Sequence, residues 1–375
     1  MVTARRPLAF LLCLGAIVCG LPTVASAQRM DLALSRLRVP AGAVIPGSER
    51  FDDTGTLVSD TCSDSAGGYP RDFCQDDDSW RRLATEFTGG MIPPLLTPAR
   101  TRGPRSFYLG VEGFLTGISS GDSVAGSVWG RGTEGLSDAP GATPSNRFPD
   151  SILGWSRLNI RKALPFGFDL GTNIGYLANT SYWTLGLEIR WAILEGWQSR
   201  DWWVPDIAVR GAVQTLVGDT EFNATTVAVD LTISNSIIIG DEFELSPYLA
   251  GQLAWAFADT ELVDLTPDRD AFAECDPVPD STLSNPCRPG TGSGADYNHN
   301  VVLPSVRTMR PRMVFGAQGR FEVFALTAAF SFDLLTPSEM DSSLPQPLRD
   351  PTTAALIRPG IDRQWRVDFG VGLVY

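Results

Sequence analysis

The 375-residue chain has one histidine and, among its 30 basic residues, one lysine, Lys162; all the others are arginines. A lone imidazole excludes multi-histidine metal centres and leaves His299 as the only side chain of its kind for acid–base chemistry. Long hydrophobic runs are missing after the first 27 residues: no later stretch approaches the roughly 18 apolar residues that a membrane helix needs. Basic charge is in deficit, 30 residues against 43 acidic ones, which speaks against nucleic acid and anionic lipid surfaces as partners. There is no phosphate-binding glycine loop, haem-ligand pattern or dinucleotide motif, so no cofactor is expected.

What is present begins with "MVTARRPLAFLLCLGAIVCGLPTVASAQ". Arg5 and Arg6, an apolar run from Leu8 to Leu21, and Ala25-Ser26-Ala27 form a secretory signal over residues 1–27, with the mature chain starting at Gln28. The signal implies export by the Sec route, and its loss leaves 28 basic residues against 43 acidic ones. Four cysteines remain, Cys62 with Cys74 and Cys275 with Cys287, each pair 12 positions apart in Asp/Pro/Gly/Ser-rich sequence. In an oxidising compartment these predict two local disulfides, each closing a short loop and contributing about 3 kcal/mol. Zinc is the rival reading, but Cys-x11-Cys without nearby histidine fits no ligand spacing, and no metal site is expected.

From about residue 105 onward, segments of alternating apolar and polar residues are separated by turn chemistry. "FYLGVEGFLTG" comes first, followed by the hairpin "RLNIRKALPFGFDLGTNIGYL". "YWTLGLEIRWAIL", "PDIAVRGAVQTLVG", "TTVAVDLTI" and "SPYLAGQLAWAF" continue the series. "RPRMVFGAQGRF" and "FALTAAFSFDL" meet at a tight turn, and "WRVDFGVGLVY" closes the chain. These make ten strands, with eight to fourteen compatible with the uncertain N-terminal region.

The connections sort by parity. Numbered from the first strand, odd-to-even gaps include the long stretches near 119–150, 258–307 and 336–362, whereas every even-to-odd gap is short. Short turns at one end and long loops at the other are the pattern of an outer-membrane barrel, and an even strand count puts both barrel ends on the periplasmic side. Closure is required because hydrocarbon offers no partner for backbone N–H and C=O groups. Trp155, Tyr176, Trp183, Trp191, Trp255, Trp365 and Tyr375 fall near strand ends, where amphipathic rings suit the membrane interface.

The alternate face predicts a charged lumen lined by Glu112, Arg157, Arg161, Asp169, Glu188, Arg190, Arg210, Asp230, Arg312, Arg320, Asp333, Arg366 and Asp368. Six acids and seven arginines nearly balance, so the negative excess lies in the loops and the N-terminal segment. In a narrow ten-stranded barrel, such side chains form a structural ion-pair network more readily than an ion-selectivity device.

Residues 28–104 lack the alternation. "MDLALSRL" sets Met30, Leu34 and Leu37 on one helical stripe; "DDDSWRRLATEF" does the same for Trp80, Leu83, Ala84 and Phe87, behind acids suited to a helix start. The expectation is a loop-rich segment with one or two small helices that plugs the lumen or rests at its periplasmic mouth.

The terminal "WRVDFGVGLVY" resembles the C-terminal signal of bacterial outer-membrane β-barrel proteins, with Trp365, Val367, Phe369, Val371, Leu373 and Tyr375 carrying the match. The last residue is Tyr where Phe is commoner. The resemblance covers roughly residues 105–375 as an architecture. It implies an all-β, antiparallel up-and-down transmembrane barrel in the outer membrane of a Gram-negative bacterium. The implied partners are membrane lipid and the barrel assembly machinery. Function is expected to be that of a narrow porin-like or transport channel for a small solute, and not that of an enzyme. The alternatives are a closed structural or adhesion-type barrel meeting a surface ligand through acidic loops, and, remotely, a rim hydrolase using His299 with Asp296. Calcium on "DDDSW" or "DLTPDRDAFAECD" lacks the spaced Asp/Asn-Gly arrangement of a dedicated loop.

Overall fold

The computed structural model describes residues 30–63, 65–66, 69–70, 73–101, 103–119, 127–135, 146, 149–194, 204–240, 243–267 and 299–375. The signal over 1–27, Cys275, Cys287 and Asp296 lie outside the described residues. Helix α1 (Asp77–Met91) precedes ten principal strands. These are β1 (Phe107–Gly117), β2 (Ile152–Ala163), β3 (Phe168–Leu177), β4 (Trp183–Leu194) and β5 (Asp206–Val217). They continue as β6 (Phe222–Ser234), β7 (Phe243–Thr260), β8 (Val306–Phe321), β9 (Phe324–Asp333) and β10 (Trp365–Val374).

Each strand pairs antiparallel with its sequence neighbours, and β10 pairs with β1, so the sheet has no free edge. The seam runs in register, with Val371 opposite Val111 and Leu373 opposite Leu109. Phe107 N donates to Tyr375 O at 2.8 Å and Tyr375 N to Phe107 O at 2.9 Å, completing it. The up-and-down barrel of ten strands expected from the alternation is the observed fold.

Period-2 alternation follows from the closure. Along β4, Trp183, Leu185, Leu187, Ile189 and Trp191 face out and are exposed, while Thr184, Gly186, Glu188 and Arg190 are buried inside. Exposed leucine, isoleucine, valine and phenylalanine recur on every strand from β2 to β10. A soluble sheet would lose roughly 25 cal/mol for each Å² of this surface left in water. Hydrocarbon removes that penalty.

One outward assignment changes. Trp155 is only 3% exposed and faces inward, stacked on Phe114 with ring centroids 6.1 Å apart. The alternation itself places it there, because residue 155 shares the face of Arg157. Trp183, Trp191, Trp365 and Tyr375 are exposed, and Tyr176 and Trp255 are half-buried.

The N-terminal region is loop-rich, and its first helical stripe is a single three-residue turn, Leu34–Arg36, rather than a helix. Met30, Leu34 and Leu37 are buried all the same. Helix α1 starts where the acids direct: the Asp76 carboxylate accepts from Ser79 N at 3.0 Å, a cap contributing about 1 kcal/mol. Trp80, Leu83, Ala84 and Phe87 are fully buried on its inner stripe. Pro93 and Pro94 end it, since the residue before a proline is driven out of the helical region and Ile92 is extended at φ −53, ψ 130. No described helix is long and apolar enough to cross a membrane.

Candidate functional site

The distinctive region is the barrel interior. Strand register brings opposite charges together directly: Glu112 faces Arg157, Asp169 faces Arg190, Arg210 faces Asp230, and Arg312 faces Asp333. The resulting ion pairs are Arg157–Glu112 at 2.5 Å, Arg210–Asp230 at 2.6 Å and Arg312–Asp333 at 2.6 Å, with Arg190 bonded to Asp169. Arg366 pairs with Asp368 two positions along β10 at 2.8 Å.

Longer links join the pairs. Arg161 lies 3.7 Å from Glu112 and 3.6 Å from Glu188, and Arg210 reaches Glu188 at 3.0 Å. A continuous series, Arg157–Glu112–Arg161–Glu188–Arg210–Asp230, thus follows the wall from β1 to β6. All these side chains are at least nine-tenths buried.

Arg320 is placed differently from the other predicted lumen residues. At the end of β8 it is part-exposed and pairs with Glu244 at 3.4 Å, at the mouth that holds the short turns. The reading of the lumen omitted Arg310, which lies 3.2 Å from Asp333. Its parity with Arg312 on the same strand was the available signal.

The arginines also hold the chain that enters the barrel. Arg210 Nη1 donates to Pro94 O at 2.7 Å, Gln252 Nε2 to Pro93 O at 3.1 Å, and Tyr248 Oη to Leu95 O at 2.9 Å. Arg366 Nη1 donates to Ile92 O at 2.5 Å, and Arg190 to Pro98 O. Arg161 Nη1 reaches Thr97 Oγ1 at 2.8 Å, and Ala99 N donates to Ser234 Oγ at 2.9 Å. Prolines 93, 94 and 98 explain the match. They have no N–H to bury, so the segment is rich in acceptors where the wall is rich in donors. "MIPPLLTPAR" carried this signal in the sequence, and the expectations made no use of it.

Above this segment, α1 fills the half of the barrel nearer the long connections. Phe87 packs edge-on against Tyr182 at 5.9 Å and Phe222 at 5.4 Å. Glu86, buried on the helix, accepts from Trp129 Nε1 at 2.7 Å and Ser119 N at 3.0 Å. Gly89 faces the Arg310 guanidinium so closely that a Cβ there would overlap it.

Residues 30–63 and 73–76 sit at the end of the long connections, not at the mouth that holds the short turns. Met30 N donates to Asn179 O at 2.9 Å and Leu32 N to Tyr182 Oη at 2.9 Å. Glu49 pairs with Arg358 and Asp76 with Arg131, at 3.0 and 2.8 Å. Within this lobe Cys62 and Cys74 form a disulfide, Cα atoms 5.7 Å apart. His299 is buried against it, edge-on to Phe73 at 5.8 Å, instead of standing open at the rim. Among the described residues no group of three His, Cys, Asp or Glu side chains is placed to hold a metal ion. A cavity of about 500 Å³ opens at the opposite mouth, beside Arg100, Glu244, Arg320 and Tyr375.

No family model and no curated protein matches the chain. Among solved structures, it is similar to Ail, the attachment invasion locus protein of Yersinia pestis, at 7% identity over 73% of this chain and 100% of that one, with a TM-score of 0.23. It is also similar to Neisserial surface protein A, at 8% identity over 71% and 96% of the two chains and a TM-score of 0.24. A third is the N-terminal β-barrel domain of Pseudomonas aeruginosa OprF, at 8%, over 72% and 97%, with a TM-score of 0.24. Values this low carry no function across, and the fold is read from this chain's own strand ladder. Ten strands closed edge to edge, an apolar exterior and ion-paired charge within are the architecture of a transmembrane β-barrel.

Proposed function

We propose that this protein is a closed outer-membrane barrel serving as a surface platform, acting through its long acidic connections. The connections 118–151, 261–305 and 334–364 together hold sixteen acidic residues against seven basic ones. The sequence alone favours a narrow channel; the filled interior favours the closed alternative. One observation carries this reading: side chains that would line a pore have almost no accessible surface. Asp230, Asp333, Arg366 and Asp368 are 0% exposed, although they point to the barrel axis. A water column would leave them wet.

The enclosing contacts also make opening costly. Withdrawal of residues 92–99 would strip acceptors from Arg190, Arg210 and Arg366 at once, each charged hydrogen bond being worth about 1.5–3 kcal/mol. Planar-bilayer recording of the whole refolded protein tests the proposal. Electrical silence is expected. Discrete open-channel steps from the intact protein would overturn it, and steps only after removal of residues 30–100 would make the protein a channel plugged by that segment.

A further inference from the structure

The path of the N-terminal segment places the two ends of the described chain on opposite sides of the barrel. Ten strands, an even number of crossings, return a chain to the side from which it started. This chain makes an eleventh crossing, through the lumen. Its contacts descend in order. Trp80 Nε1 donates to Pro304 O at 2.7 Å in the longest connection, and Arg82 Nη2 to Pro359 O at 2.8 Å in another. Farther along, Thr226 Oγ1 donates to Met91 O at 3.2 Å and Ser234 Oγ accepts from Ala99 N at 2.9 Å. Eight residues of segment therefore run beside eight residues of β6, at the pace of extended chain, about 3.3 Å per residue. Phe107 then opens β1 at the mouth where Tyr375 ends the chain.

Outer-membrane barrels carry short turns on the periplasmic side and long loops outside. We propose that residues 30–63 and 73–76 form a lobe displayed on the cell surface, delivered there through the barrel that the same chain builds. The proposal rests on the outer-membrane assignment but not on the lumen being electrically closed.

Three features support delivery by threading. The lobe is joined to that end of the barrel on several sides, through Asn179 and Tyr182 in the β3–β4 turn and through Arg131 and Arg358 in two long connections. Its cross-link, Cys62–Cys74, gives it a width that cannot retreat past a lumen already occupied by buried arginines. And deeper in the lumen the described wall residues beside the segment, Asp230, Asp333, Arg366 and Asp368, are fully buried, so the segment leaves no room there for a second chain. The segment must therefore occupy the lumen before β10 closes on β1. On this path three lumen arginines have a second role: carbonyls of residues 92–98 accept from Arg190, Arg210 and Arg366 while the wall is being assembled around the segment.

Single-cysteine labelling on intact cells decides the matter, using a maleimide polymer too large to cross the outer membrane. Asp53→Cys lies in an exposed turn of the lobe, and Leu57→Cys gives an independent site on it. Phe166→Cys, at a 90% exposed position in the β2–β3 turn, marks the other side. Heat-modifiable gel mobility establishes that each variant folds, and the unsubstituted protein sets the background. Labelling of Asp53→Cys and Leu57→Cys as full on intact as on permeabilised cells, with Phe166→Cys labelled only after permeabilisation, is the expected result. If the two lobe cysteines react only after permeabilisation, the lobe is periplasmic and the proposal fails, whatever the bilayer recordings show. Labelling of Phe166→Cys on intact cells would overturn it by reversing the barrel.

Discussion

Arg210 Nη1 donates to the carbonyl of Pro94 at 2.7 Å while its Nε holds Asp230 at 2.6 Å and a further contact reaches Glu188 at 3.0 Å. One side chain thus binds two neighbouring strands and the segment on the axis. Arg210→Ala would leave two buried carboxylates without this counter-charge. A loss of about 3–5 kcal/mol is expected from denaturant unfolding of the refolded protein in detergent. A loss below about 1 kcal/mol would mean that water replaces the guanidinium, and the interior would not be dry.

Arg161 and Glu188 meet across an intervening strand because Gly171 lies between them in register on both sides. A Cβ at Gly171 would stand 2.6 Å from Glu188 Cγ and 2.8 Å from Arg161 Cγ. Gly171→Ala should therefore cost about 1–3 kcal/mol through overpacking. Gly251→Ala is the comparison, since nothing lies within 4 Å of its added Cβ, and it should be neutral or slightly stabilising. Equal effects at the two positions would remove the steric account.

Leu187 is 58% exposed near the middle of β4. If hydrocarbon faces it, Leu187→Arg should destabilise the folded protein in lipid vesicles by about 2–4 kcal/mol. On a wet surface the same change is worth roughly half a kcal/mol at most. Reversible unfolding in vesicles separates the two, and a near-zero value would deny the membrane belt.

Asp350, in the connection between β9 and β10, accepts from Thr352 N at 2.7 Å, Thr352 Oγ1 at 2.6 Å and Thr353 N at 3.0 Å. These bonds favour the charged form and hold its pKa at about 2, below the ordinary 3.8. For an acid with a depressed folded value, the contribution is complete above the unfolded value and disappears as pH falls through the folded one. Amide exchange at Thr352 and Thr353 should therefore stay protected at pH 4 and lose protection on approach to pH 2. Asp350→Asn should flatten that window; unchanged pH dependence in the variant would assign the protection to another group.

The barrel was legible in the sequence because alternation is a local property. Residues two apart share a face whatever their surroundings, so "WTLGLEIRWAIL" declares its lipid and lumen sides without reference to any other strand. Loop lengths sort by side for the same reason, since connections are counted along the chain. Trp155 was misjudged only where nearness to a strand end was preferred to parity. Arg320 shares the lumen parity but stands at the rim, because depth along the axis depends on strand tilt and on the register with β7.

What only the tertiary structure decided is the content of the barrel and the direction in which the first segment crosses it. The sequence determined that its charged residues face inward; it could not determine that they would find backbone carbonyls there. Pairing Arg210 with Pro94 spans 116 positions, and Arg366 with Ile92 spans 274. Such contacts exist only after closure, when low dielectric and the lack of water favour a backbone carbonyl for guanidinium N–H groups that the carboxylates leave over. Alternation writes the wall into the chain one residue at a time, whereas the filling is settled by which donors and acceptors the closed wall shuts in together.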